Sequence, residues 1–175
     1  MMRNLFLVCV GLMCSPLANA QTCNQAITAT APTSRYTLFT NGTALDKQTG
    51  LIWMRCAEGQ TWDGKTCQGV ADTLGWQVAL QYAESVVFAG KSDWRLPNIK
   101  ELKSLRELRC YPAINLTVFP NTADSLDSLF WSSSPYAYVG GGPLAWVVGF
   151  NNSDLHGEFL IGDGGGLVRL VRGGQ

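Results

Sequence analysis

The sequence predicts an α+β domain stapled by two disulfides. Three observations point to it: short apolar strands toward both ends, two stretches of helical period between them, and an even number of cysteines behind an N-terminal leader.

Residues 1–20 read as a secretory signal. Arg3 supplies the positive start, Leu5 to Met13 the apolar run, and Ala18-Asn19-Ala20 the small residues that place cleavage at Ala20-Gln21. The run is shorter than the roughly 20 residues a membrane-spanning helix needs, which argues against a retained anchor. A lipoprotein attached through Cys9 or Cys14 is disfavoured by Val8 and Met13, which are larger than lipid-attachment signals carry. The expected product is periplasmic or secreted, with no later segment apolar enough to span a bilayer. Its organisation reads as a leader over 21–34 and one domain with one hydrophobic core over 35–175. The whole chain has 13 basic and 13 acidic side chains. Loss of Arg3 leaves a near-neutral product, which excludes nucleic acid as a partner on charge.

Of the 6 cysteines, Cys23, Cys56, Cys67 and Cys110 remain after cleavage. In an oxidising compartment these make two disulfides, and three pairings are open. Cys56 and Cys67 bracket a short polar loop and favour a local bridge. Cys23–Cys110 is then the second, tying the leader to the end of a helix. A zinc site is the rival, but no CxxC pair is present and His156 is the only histidine.

Along the chain, Tyr36 to Phe39 and Thr43 to Leu45 flank Asn41-Gly42, a hairpin signal. Asp46 to Gly50 forms a further turn, with Gly50 suited to positive φ, and Leu51 to Met54 is a third strand. Trp76, Ala79, Leu80, Ala83 and Val87 recur at helical spacing, predicting a helix over 76–89 ended by Gly90. A second helix starts after Pro97 with Asn98 and Glu101 as a capping box. It carries Ile99, Leu102, Leu105 and Leu108 on its apolar side and stops at Cys110. Leu129 to Ser133, Ala145 to Phe150 and Leu167 to Val171 are the closing strands, with a Gly/Asn/Asp-rich loop over 151–166.

Several of these phrases occur together in one family. Asp46-Lys47-Gln48-Thr49-Gly50-Leu51-Ile52-Trp53, Asp93-Trp94-Arg95-Leu96-Pro97-Asn98 with Glu101-Leu102, Phe130-Trp131-Ser132-Ser133-Ser134, Ala145-Trp146-Val147-Val148 and Val168-Arg169-Leu170-Val171-Arg172 resemble the motifs of the Lcl C-terminal domain family. The match runs from about Arg35 to Arg172. The family takes its name from a collagen-like adhesin that binds sulfated glycosaminoglycans, so the resemblance implies an adhesion-type binding domain. Collagen-type Gly-x-y repeats are absent from this chain. The Arg-Leu-Pro helix start and the closing Val-Arg strand are also similar to the formylglycine-generating branch of C-type-lectin-like folds. That likeness implies a compact, twisted antiparallel sheet with two helices and long loops.

The residues themselves offer little catalysis. His156 stands alone in a polar loop, Ser132 to Ser134 have no base beside them in sequence, and no phosphate-binding or dinucleotide fingerprint occurs. No enzyme, cofactor or metal site is expected. The Trp94-Arg95-Leu96-Pro97 segment is read as structural, with Trp94 in the core and Arg95 paired to Asp93 or Glu101. Binding has two candidate regions. Asn151, Asn152, Asp154, His156 and Asp163 in the long loop suit hydrogen bonding to sugars. Asp154 and Asp163 match no calcium loop. Lys100, Lys103, Arg106 and Arg109 recur every third residue on the second helix and could engage a sulfated polysaccharide. Three-residue spacing drifts around a helix, so an ordinary solvated face competes with this reading. The expected partner is a glycan or other surface molecule, with an envelope protein as the alternative.

Overall fold

The computed structural model describes residues 21–136, 144–151, 158–160 and 164–174. In chain order the strands and helices are β1 (Thr22–Cys23), β2 (Tyr36–Leu38), β3 (Thr43–Asp46), β4 (Leu51–Met54), β5 (Thr61–Trp62), β6 (Cys67–Gln68), α1 (Trp76–Ser85), α2 (Ile99–Lys103), β7 (Cys110–Tyr111), β8 (Leu129–Tyr136), β9 (Leu144–Gly149), β10 (Glu158–Leu160) and β11 (Val171–Gly173). The domain is α+β, with all named strand pairs antiparallel. The strands form several small sheets. A four-stranded sheet runs β11-β4-β3-β2, a three-stranded one β10-β9-β8, and β1-β7 and β5-β6 are isolated pairs.

Side-chain alternation along these strands sorts the interior into two apolar clusters where the sequence implied one. Phe130 and Val148 join Tyr36, Ala44, Trp53, Leu102, Leu105 and Phe119 in the first. Their strand neighbours Leu129, Trp131, Ala145 and Val147 point the other way, to Ala79 and Ala83 of α1 and to Trp94 and Leu170. The reason is that β8 and β9 are covered on both faces, so both side-chain rows are apolar.

Both disulfides form, as Cys23–Cys110 and Cys56–Cys67. Cys23 and Cys110 sit directly opposite each other in the β1–β7 pair, so the leader contains a short strand. The leader is further held by Glu107, whose buried carboxylate accepts from the Thr30 and Ala31 amides at 3.1 and 2.9 Å.

Both helices are shorter than their period implied. α1 stops at Ser85, because Val86 turns extended and Ala89-Gly90 adopt positive φ of 50° and 70° to close a tight turn between Phe88 and Lys91. Val87, expected on the buried stripe, is 71% exposed. α2 has the predicted capping box, with the Asn98 side chain accepting from the Lys100 and Glu101 amides and Glu101 returning a bond from the Asn98 amide. It nonetheless ends at Lys103. The Ser104 hydroxyl donates to the Glu101 carbonyl at 2.7 Å, the competition by which serine disfavours helix continuation. Lys103, Arg106 and Arg109 therefore do not share one helix.

Among the described residues no helix is long and apolar enough to cross a membrane. Closing strand β11 begins only at Val171; Leu167 makes a single parallel bridge to Phe130 instead of opening a strand.

Candidate functional site

The motif residues lock onto one another. Asp46 ends β3 and takes three jobs in the Asp-Lys-Gln-Thr-Gly turn. It accepts from the Gln48 amide at 3.0 Å, from the Thr49 hydroxyl at 2.7 Å, and from Arg35 through both carboxylate oxygens. Burial pushes the Asp46 carboxyl upward, but the Arg35, Thr49 and Gln48 hydrogen bonds outweigh it and hold the group below the usual carboxylate range. In the central motif Trp94 is buried and its indole donates to the Phe88 carbonyl at 3.1 Å. Arg95 forks onto Glu101 at 2.8 and 2.7 Å, the second of its two expected partners. Asp93 instead accepts from Arg172 at 2.7 Å. The backbones of Arg95 and Val171 bond both ways, so the central and terminal motifs form one joint.

Arg169 was legible only as a strand residue, and it is 1% exposed. Its guanidinium donates to the carbonyls of Met54 and Arg55 and to the Thr122 hydroxyl, between the rings of Phe119 and Phe130 at 4.9 and 5.5 Å. Burial pushes its pKa down to about 9, so it remains a cation at neutral pH. Alternation places Arg169 opposite Val168 and Leu170, which join the second cluster, and on that opposite side it meets Phe119 and Phe130 of the first.

The sequence-derived site residues divide as follows. Lys103 and Arg106 line one open depression of about 380 Å³, together with Thr30, Arg35, Gln48, Ser104 and Leu108. Lys100 is exposed on α2 outside that lining. Asn151 is 3% exposed and its amide donates to the Ser125 carbonyl at 3.0 Å, so it faces inward. Asn152, Asp154, His156 and Asp163 lie outside the described residues.

Arg35 is the floor of the depression, pinned by Asp46 below and by the Ser104 carbonyl at 2.9 Å. Asp46 balances Arg35, and Lys103 and Arg106 stand beside it in the lining. Arg35 and Gln48, which the sequence reading did not single out, reach the site from the residue before β2 and from the β3–β4 turn, which lie beside 103–108. The Lys103 ammonium also stands 5.8 Å from the Trp146 ring, which meets Tyr136 edge-on at 4.8 Å. The basic opening thus borders an aromatic pair on β8 and β9.

Ser132 to Ser134 are used structurally. Ser132 donates to the Trp146 carbonyl at 2.7 Å, and the Ser134 hydroxyl accepts from the Ile99 amide at 3.0 Å. Among the described residues no group of three or more His, Cys, Asp or Glu side chains could hold a metal ion.

Fold and motifs together define a disulfide-linked α+β scaffold with an open depression lined by Lys103 and Arg106. The chain belongs to the Lcl C-terminal domain family, whose model matches residues 42–172. No curated protein and no solved structure matches it. The C-type-lectin-like comparison therefore rests on the quoted motifs alone.

Proposed function

We propose that this chain is an exported, non-catalytic binding domain that recognises an anionic glycan through the depression around Lys103 and Arg106. The observation that carries the reading is the convergence of Lys103 and Arg106 over an Arg35 floor already balanced by Asp46. Hydroxyl and amide groups of Thr30, Ser104 and Gln48 stand in the same lining. Sulfate and carboxylate groups take charge-assisted bonds from such cations, while sugar hydroxyls can donate to the Thr30 and Ser104 oxygens, whose own protons go to the Arg106 and Glu101 carbonyls. The neighbouring Trp146 and Tyr136 offer apolar area at the edge of the site. The two formed disulfides and the signal-like residues 1–20 support export. The engagement of all four described cysteines in disulfides, and of Ser132 and Ser134 in backbone contacts, supports a non-catalytic role.

Heparin-affinity chromatography and a glycan array on the disulfide-intact protein test this. The wild type should elute above physiological salt and prefer sulfated or uronic-acid glycans, and Lys103→Glu/Arg106→Glu should elute earlier than a Lys65→Glu control. Equal elution of all three proteins would remove the assignment.

A further inference from the structure

A second, smaller cavity lies away from the basic depression, between α1, the Glu58–Trp62 turn and residues 168–170. It offers about 70 Å³, far below the roughly 300 Å³ of a drug-sized site, so it is sized for one short chain or side-chain tip. Met54, Val86 and Val168 form apolar wall, Tyr82 and Phe88 add rings, and Glu58 is the one charged side chain in the lining.

The other polar atoms of this wall are already engaged. The Gln60 side chain accepts from the Ala57 amide and donates to the Asn121 carbonyl, both at 3.1 Å. The Trp62 indole donates to the Thr40 carbonyl at 2.9 Å. Glu58 is different: its carboxylate lies beside Tyr82, whose phenol is pushed above its ordinary range by burial and then by that neighbour, and a carboxylate has about four acceptor positions in all. Its backbone is fixed on both sides, donating to the Val168 carbonyl and accepting from the Asp72 amide at 2.9 Å each. Gly59, at φ +82°, makes this possible, since a Cβ there would stand 2.6 Å from the Asp72 nitrogen.

We propose that this cavity binds the tip of an alkylammonium group, its methylenes against Met54, Val86 and Val168 and its charge on Glu58 beside the Tyr82 and Phe88 rings. Charge complementarity selects this occupant: an apolar, ring-bearing cavity with one carboxylate and no lining cation attracts an ammonium and repels an anion. Arg55 lies 4.1 Å from the Trp62 centroid, but it donates away from the cavity to the Val118 and Thr117 carbonyls. That ring face is occupied, so Tyr82 and Phe88 supply the ring contacts.

Protein-observed NMR titration with n-butylammonium, n-butanol and butyrate tests the proposal on the intact protein. The methyls of Val86 and Val168 should shift saturably with butylammonium, at least tenfold more weakly with butanol, and not saturably with butyrate. Glu58→Gln, which keeps shape and removes charge, should weaken butylammonium at least tenfold and leave butanol unchanged. A lysine derivative blocked at both backbone ends, binding as well as butylammonium, would support a lysine side chain as the natural source; binding of the free amine alone would support a small molecule. Equal binding of butanol and butylammonium, or no saturable shift with either, would overturn the proposal.

Discussion

Arg169 and the Lys103/Arg106 pair carry the same charge in opposite settings. Arg169 is enclosed by two aromatic rings and its two terminal nitrogens donate to two carbonyls and a hydroxyl of the chain itself. Lys103 and Arg106 border an open depression. The difference follows the motifs. Arg95, Arg169 and Arg172 belong to the phrases shared with the family, and each is committed within the fold. Lys103 and Arg106 stand outside those phrases. In this domain the family's motif arginines build the scaffold, whereas Lys103 and Arg106 line the opening.

Substitutions at the two kinds of site should separate cleanly. Arg169→Met keeps the length of the side chain but takes the Arg169 donors from the Met54 and Arg55 carbonyls in the core, leaving the Thr122 hydroxyl only its bond to the Phe119 carbonyl. It should cost about 3–5 kcal/mol of stability by urea denaturation. A loss below about 1 kcal/mol would break the distinction.

Asp46→Asn removes a fully buried partner from beneath Arg35 and should cost about 3 kcal/mol. Because the Asp46 carboxyl is held below its ordinary value, its stabilisation is complete above the unfolded-state pKa near 4 and is lost as pH falls through the lower folded value. The wild type should therefore weaken on acidification below about pH 4 more steeply than Asp46→Asn, measured as denaturation midpoint against pH. The folded variant also leaves Arg35 unbalanced under the depression, so it should elute from heparin at higher salt than the wild type.

Arg95→Ala opens a partly exposed ion pair and should cost only about 0.5–1 kcal/mol. Lys103→Glu/Arg106→Glu should lower heparin retention while costing less stability than Arg169→Met, the inverse ordering of the two effects.

Local chemistry was the legible part of this fold. Leu51–Met54 appears as a strand with the predicted bounds, the Asn98/Glu101 capping box forms, Trp94 is buried, and the spacing of four cysteines led to the observed bridges. Each of these depends on residues within a few positions, or on a small count of alternatives. What escaped depends on tertiary competition. The basic spacing from Lys100 to Arg109 mimicked a longer helix, but Ser104 ends α2 and Glu107 turns inward to hold the Thr30 and Ala31 amides. Arg169 gave no local sign of burial, because its partners come from β4, from the residue after it, and from Thr122. The site was half legible for the same reason. Lys103 and Arg106 could be singled out by charge, but Arg35 and Gln48 come from another part of the chain and join them only through the tertiary fold.

The central claim is that an anionic glycan docks over Lys103 and Arg106, and amide NMR with a sulfated heparin hexasaccharide tests it most directly. The account predicts saturable shifts centred on the Thr30, Gln48, Ser104 and Leu108 amides, lost in Lys103→Glu/Arg106→Glu. Shifts centred elsewhere, or unchanged in that variant, would contradict it.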